Sequence, residues 1–374
     1  MRRTAAPTIL TLALASVTTL FADDGEAQRR RRSDDARRDS DRMRRRSRYE
    51  RTLEPTTRRG RPVTVRLETP PVAFDAPPPP PPSSERPYDH VVLVSLDGLR
   101  PDAIMMTDTP NLRRLRQIGA WATEARTITH SYTLPSHTSM LSGVDTDRHG
   151  LLHNDFTPRH GFTRAPTALY LAHDAGFTTA MFVSKPKFRH IAIPGSVDVF
   201  RLPSSRCTPV VAAATAHIAA TREGITFVHL SEPDSAGHHR GWMTLSYLRA
   251  IAEADRCVGA LLQSIAARAD RDRVLLMISS DHGGHGRTHG STREEDMRIP
   301  WIAWGSRVIA GDFSTPVSTM DSAATALVAL GLQVPSDWTG RPVQRALSRT
   351  SADPQVIGAQ RPAGRNSDNS SNGR

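Results

Sequence analysis

The sequence predicts an α/β fold, a three-layer α/β/α sandwich built on a mostly parallel sheet. Two observations carry this prediction. Short apolar runs alternate with stretches of helical periodicity, the pattern of a sheet covered by helices on both faces. Several of the runs stop at Asp, His or Gly, as the strands of an open sheet do where they deliver side chains to a ligand. The chain has 374 residues, room for one large domain, and no internal repeat.

Charge and composition place that domain. The formal net charge of +11 suggests a nucleic-acid binder until it is located along the chain. Residues 1–87 hold 19 Lys+Arg against 12 Asp+Glu, and residues 347–374 hold 4 against 2, which leaves 26 against 24 in between. The basicity belongs to the tails, so specific nucleic-acid recognition is not expected. Arg2 and Arg3, an apolar stretch from Thr8 to Phe21 and small residues at Ala22 and Ala27 read as a signal peptide over 1–27. That predicts an exported protein, periplasmic or secreted. The stretch is too short, and too interrupted by threonines, for a permanent anchor. Residues 28–87 read as a linker. Its first half is dense in arginine and acids and cannot bury enough surface to fold, and 70–87 is a stiff polyproline spacer. The arginines also suit a weak contact with an anionic polymer or membrane surface. The polar tail 347–374 is expected to be disordered. Cys207 and Cys257, the only cysteines, either pair in an oxidising compartment or stay as two buried thiols.

Folding is thus expected over 88–346. HVVLVSL at 90–96 is a buried strand ending at Asp97-Gly98. Thr109 as cap and Pro110 at the first position begin a helix whose face is Leu112, Leu115 and Ile118. Further strands are expected at 177–184, 225–230, 273–280 and 299–304, and helices at 209–222, about 245–267 and 320–331.

Three strands end in candidate ligands. The first ends at Asp97. A later one runs into HLSEPDSAGHH, with Asp234 and His238 four apart and 235–237 small enough for a tight turn. Another ends at Asp281-His282 in the glycine-rich stretch SSDHGGHGRTHG, which also offers His285 and His289. Carboxylates and imidazoles are ligands for borderline cations, and three of each suit two divalent metals sharing a site. Thr133 precedes Leu134-Pro135. Its hydroxyl is either a nucleophile at a helix N-terminus that favours an oxyanion, or only the cap of a helix starting at Pro135.

These residues sit in blocks that resemble the alkaline phosphatase superfamily, most closely its type I phosphodiesterase/nucleotide pyrophosphatase branch. The blocks are VSLDGLRPD, TPNLRRL, SYTLPSHTSMLSGVDTDRHGLLHND, EPDSAGHH and SDHGGHGRTHG. The resemblance implies an alkaline phosphatase-like fold and two zinc ions, one on Asp97, Thr133, Asp281 and His282, the other on Asp234, His238 and His289. His289 is chosen over His285 because an HG pair ahead of MRIPWIAWG matches the last block of that family. His285 then faces substrate or satisfies a loop carbonyl. The reaction implied is a double displacement on a small phosphate ester through a phosphothreonine at Thr133, with retention at phosphorus. Ser136 stands where relatives often have a phosphoryl-binding Asn, which leaves diester preference open. Asn154 and Lys185 are further candidates, either touching substrate or supporting the ligands from behind, each as readily a loop or surface residue. The C/S-x-P-x-R pattern of sulfatases is absent. The alternatives are a phosphomonoesterase or phosphonate hydrolase, with Arg287 and Lys185 as the extra positive groups, and, in another class, an anionic-polymer-binding protein acting through its arginine-rich segment.

Overall fold

The computed structural model describes residues 81–348, so the expected signal peptide and most of the linker and tail lie outside the described residues. The chain order is β1 (His90–Leu96), α1 (Pro110–Ile118), β2 (Ala120–Ala122), β3 (Ala125–Arg126), α2 (Thr133–Ser142), α3 (Thr146–His149), α4 (Ala168–Asp174), β4 (Thr178–Phe182) and β5 (Val199–Arg201). It continues with α5 (Cys207–Ala220), β6 (Gly224–Leu230), α6 (Glu232–Arg240), α7 (Leu245–Ala266), β7 (Val274–Ser279), α8 (Glu294–Met297), β8 (Trp301–Trp304), β9 (Gly311–Phe313), β10 (Val317–Ser318) and α9 (Asp321–Ala329). Eight strands form one sheet in the order β5-β4-β6-β1-β7-β8-β2-β9. β1 lies between β6 and β7, parallel to both, and β8 is antiparallel to its neighbours β7 and β2.

All seven residues of β1 are buried, because each of its faces meets helices. Val91 and Leu93 join a core with Leu134 and Met140 of α2, Leu169 of α4 and Leu327 of α9. Val92, Val94 and Leu96 join a second core with Leu112 of α1, Val210 of α5 and Ile251 of α7. This period-two division of one strand between two cores is the three-layer sandwich at residue level. Each such side chain contributes about 1.5–3 kcal/mol through burial.

Three local expectations are corrected. Pro110 does open α1, but the Thr109 hydroxyl donates to Ile104 O (2.6 Å) instead of capping. The free amides of Asn111 and Leu112 donate to Asp255 on α7, which does the capping from across the interface. The helix after Thr133 starts at Thr133 itself, with Tyr132 as its N-cap and Pro135 inside the first turn. The expected tight turn at 235–237 is part of the helix α6, so Asp234 and His238 are one helical turn apart on one face. Gly237 is small there because a Cβ would fall 2.6 Å from the Trp242 indole. Cys207 and Cys257 are paired, joining α5 to α7. No helix among the described residues is long and apolar enough to cross a membrane.

Candidate active site

The site gathers at the carboxyl ends of β1, β6 and β7, three adjacent parallel strands. β1 delivers Asp97, β7 delivers Asp281 and His282, and α6, which follows β6 after one residue, delivers Asp234 and His238. Thr133 comes in from the first turn of α2, and its Oγ1 lies 3.5 Å from His282 Nε2. His289 stacks on His282, with ring centroids 3.7 Å apart.

The hydrogen bonds divide each ligand candidate into a tethered atom and an open one. His238, His282 and His289 each donate Nδ1–H to a backbone carbonyl, those of Arg287 (3.1 Å), Gly283 (2.8 Å) and Ser131 (2.8 Å). The neutral tautomer this fixes leaves a lone pair on every Nε2. Asp97 and Asp234 follow the same division. Lys185 Nζ donates to Oδ2 of both, at 2.5 and 2.6 Å, while Oδ1 of each is buried without a hydrogen-bond partner. Asp281 holds Oδ1 against Gly98 N–H (3.1 Å) and leaves Oδ2 unpartnered.

The open atoms converge. Asp234 Oδ1 is 3.2 Å from His238 Nε2 and 3.6 Å from His289 Nε2. Asp97 Oδ1 is 3.4 Å and Asp281 Oδ2 3.1 Å from His282 Nε2. Two groups, Asp234–His238–His289 and Asp97–Asp234–His282, have ligand atoms all within 4.8 Å of one another. His238 and His289 bring their Nε2 atoms to 3.1 Å, two lone pairs facing each other. Buried lone pairs aimed together without donors fit a cation and little else, and the tethered Nδ1 atoms are what metal-ligating histidines use. The nitrogen and oxygen donors suit zinc.

Charge in the site follows from burial and from Lys185. Burial and the Asp234 carboxylate push Asp97 up, but the Lys185 ammonium and His229 outweigh them and hold it well below the usual carboxylate range. Burial opposes Asp234 in the same way, and the Lys185 ammonium overcomes it. Asp281 has no such partner, and burial, then the Asp97 carboxylate, drive it well above that range. Burial, then His282, lowers His289 to about 3.

Every predicted ligand is therefore at this edge, Lys185 supports two of them, and Ser136 and His285 lie elsewhere than expected. Ser136 is fully buried and its hydroxyl is engaged with Thr127 Oγ1 and His130 O, because three residues into a helix it points inward. The side chain beside Thr133 is Asn154, whose Oδ1 accepts from Leu134 N–H (3.0 Å). Lys185 bridges two aspartates, because β4 neighbours β6 and β6 neighbours β1, so a side chain just past β4 reaches both. His285 pairs with the Asp296 carboxylate (2.7 Å), neither with substrate space nor with a loop carbonyl. Arg287 donates to His239 O.

Sequence reasoning missed two supporting histidines. His229 donates to Asp97 Oδ2 (3.0 Å) and takes the Ser184 hydroxyl at its other nitrogen (2.7 Å). His137 donates to Thr133 O (2.7 Å) and sits 3.3 Å from Asp281 Oδ2. The signal for His229 was its place as a polar residue in the apolar run ITFVHL.

Known proteins match the same part of the chain. The family model for type I phosphodiesterase / nucleotide pyrophosphatase covers residues 91–286. Mouse ectonucleotide pyrophosphatase/phosphodiesterase family member 3 is 23% identical over 52% of this chain and 24% of its own length. Human family member 7 is 28% identical over 54% of this chain and 49% of its own. The chain thus spans about a quarter to a half of the curated relatives it matches. Among solved structures, murine ectonucleotide pyrophosphatase / phosphodiesterase 5 superposes with a TM-score of 0.56 at 15% identity, over 67% of this chain and 97% of that one. An inactive form of that protein in complex with AMP gives 0.57. A phosphonate monoester hydrolase from Silicibacter pomeroyi gives 0.56 at 14% identity, over 72% of this chain and 78% of that one. At these identities the structural matches speak for the fold.

Proposed function

The chain belongs to the type I phosphodiesterase/nucleotide pyrophosphatase family, and from that premise we propose that it is an exported, metal-dependent phosphodiesterase acting on small phosphate esters, nucleotide diesters among them. The observation that carries the reading is the convergence of unpartnered Oδ atoms of Asp97, Asp234 and Asp281 with the Nε2 atoms of His238, His282 and His289 beside Thr133. Asp97, Thr133, Asp281 and His282 would hold one zinc and Asp234, His238 and His289 the other. Bound there, the ions would lower the pKa of the Thr133 hydroxyl and offset charge developing on the phosphoryl oxygens.

The chain's own residues do the rest. Thr133 Oγ1 attacks phosphorus in line, the ester oxygen leaves with a proton from solvent, and a phosphothreonine forms. Water then attacks the same phosphorus from the side the leaving group vacated and frees Thr133. Two inversions leave the configuration retained. The amino end of α2, ten residues long, presents positive dipole to the phosphoryl group throughout. Lys185 keeps Asp97 and Asp234 oriented and ionised. His229 holds Asp97 from behind through Oδ2, and His137 fixes the Thr133 carbonyl.

The disulfide supports export, since such bonds persist in oxidising compartments. AMP in the murine relative supports a nucleotide-like substrate. We assign catalysis to residues 88–346, behind a signal peptide (1–27) and a linker (28–87). The test is Thr133→Ala on zinc-loaded full chain with a nitrophenyl nucleotide diester, alongside metal analysis of the unaltered protein. Turnover should fall about a thousandfold or more, and the unaltered protein should hold two zinc ions per chain. Unchanged turnover, or a purified protein that takes up no metal, overturns the proposal.

A further inference from the structure

Lys185 has a second lysine two residues on. Lys187 lies in the short helical turn Pro186–His190 and is half-buried, and its ammonium donates to Asn154 Oδ1 at 2.9 Å. That oxygen also accepts from Leu134 N–H at 3.0 Å, the amide next to the proposed nucleophile. Two donors on one amide atom mean that the atom is the oxygen, and they use both of its lone pairs. The orientation of Asn154 is thereby fixed. Its NH2 makes no hydrogen bond among the described residues and is left as a donor.

The two ammonium groups differ in what balances them. Lys185 lies against two carboxylates, whereas Lys187 has no carboxylate within ion-pair distance among the described residues. Burial, then the Lys185 ammonium, pulls Lys187 down to about 8, which still leaves it mostly cationic at neutral pH. Asp97, Asp234 and Asp155 act on it only from beyond ion-pair distance, so a half-buried cation one hydrogen bond removed from the amide after Thr133 gains free energy when an anion arrives beside it.

We propose that Lys187 is the specificity-determining residue of this site, its unpaired ammonium receiving the second negative charge of a terminal phosphoryl group, so that phosphate monoesters are accepted beside diesters. A diester phosphoryl carries one charge on two non-bridging oxygens, and a monoester carries a third oxygen and a second charge. Asn154 serves both substrates, whereas the ammonium, which has no ion-pair partner among the described residues, discriminates between them. The inference rests on the reading of Thr133 as the phosphoryl acceptor.

The experiment compares nitrophenyl phosphate with bis-nitrophenyl phosphate on zinc-loaded full chain, wild type against Lys187→Met and Lys187→Arg. Lys187→Met should lower kcat/KM for the monoester about tenfold more than for the diester, the worth of one charge-assisted hydrogen bond. Lys187→Arg should restore most of the ratio. Equal losses on both substrates, the mark of a residue that only positions Asn154, overturn the proposal, and so does no loss on either. A binding measurement separates this from the nucleophile's role. In Thr133→Ala protein, adding Lys187→Met should weaken inorganic phosphate about tenfold by calorimetry and leave monoanionic dimethyl phosphate nearly unchanged. Parallel effects on the two anions refute the role of Lys187 whatever becomes of turnover. Full activity in Thr133→Ala refutes the nucleophile, and the ratio of the two anion affinities then decides the role of Lys187 by itself.

Discussion

The two ends of the central strands treat buried charge in opposite ways. At the amino ends, Asp89 accepts Ser83 Oγ (2.6 Å) and Arg273 Nη2 (3.0 Å) at Oδ1 and Arg273 Nε (3.0 Å) at Oδ2, and His90 Nε2 meets Thr226 Oγ1 (2.9 Å). At the carboxyl ends, eight residues along the same strand, Asp97, Asp234 and Asp281 each keep one buried oxygen without a hydrogen bond. Both ends are equally dry, so exposure does not explain the difference. A buried acceptor left unmet costs about 1–3 kcal/mol. A fold that meets both oxygens of Asp89 at one edge and leaves three carboxylate oxygens unmet at the other has an open edge suited to a ligand.

The largest effect on this contrast is expected from Lys185, the cation that both site aspartates share. Lys185→Met should destabilise metal-free protein by about 3 kcal/mol, because two buried carboxylates lose their counter-charge. Zinc-loaded protein should lose much less. Chemical denaturation with and without chelator measures both, and equal losses would make Lys185 ordinary packing.

Next in size is a pair of opposite sign. Asp89→Asn should cost about 2 kcal/mol through its arginine partner and spare turnover. Asp281→Asn should raise metal-free stability at neutral pH by about 1 kcal/mol and abolish turnover. The sign follows from the raised carboxyl of Asp281. The folded state keeps a proton that the unfolded chain releases, so the folded state loses ground as pH rises above the ordinary carboxylate value, and an amide removes that penalty. Denaturation midpoints that move the same way for both variants would erase the contrast between the ends.

The last effect concerns His90. Burial, then Arg268, lowers its pKa to about 3, so it stays neutral while an unfolded histidine takes a proton near 6.5. Stability from this group is whole above 6.5 and declines as pH falls toward 3, by about 1.4 kcal/mol per unit. His90→Gln should flatten that acid limb by about 1.4 kcal/mol at pH 5.5. An unaltered limb would shift the acid sensitivity to other groups.

Much of this is legible in the sequence, for identifiable reasons. Asp97 and Asp281-His282 end apolar runs, and a strand end fixes direction as well as position. The alternation of His90–Leu96 with helical segments is enough for the sandwich. Asp234 and His238 are legible as site residues, but their helix reads as a turn because 235–237 are small, and only packing against Trp242 shows that Gly237 serves a close approach. Ser136 is misplaced because three residues on from Thr133 is an inward position once the helix begins at Thr133. Asn154 reaches the Leu134 amide from 20 positions away and Lys187 reaches Asn154 from 33, a convergence that no local periodicity encodes.

The cross-link between α5 and α7 closes a covalent loop of 50 positions, and that loop contains β6 and α6. Cys207 also donates its backbone N–H to Glu232, the first residue of α6. Oxidation is therefore an assembly step for the arm carrying Asp234 and His238. Protein made in a reducing cytoplasm would carry this arm without its brace, and the remedy is reoxidation.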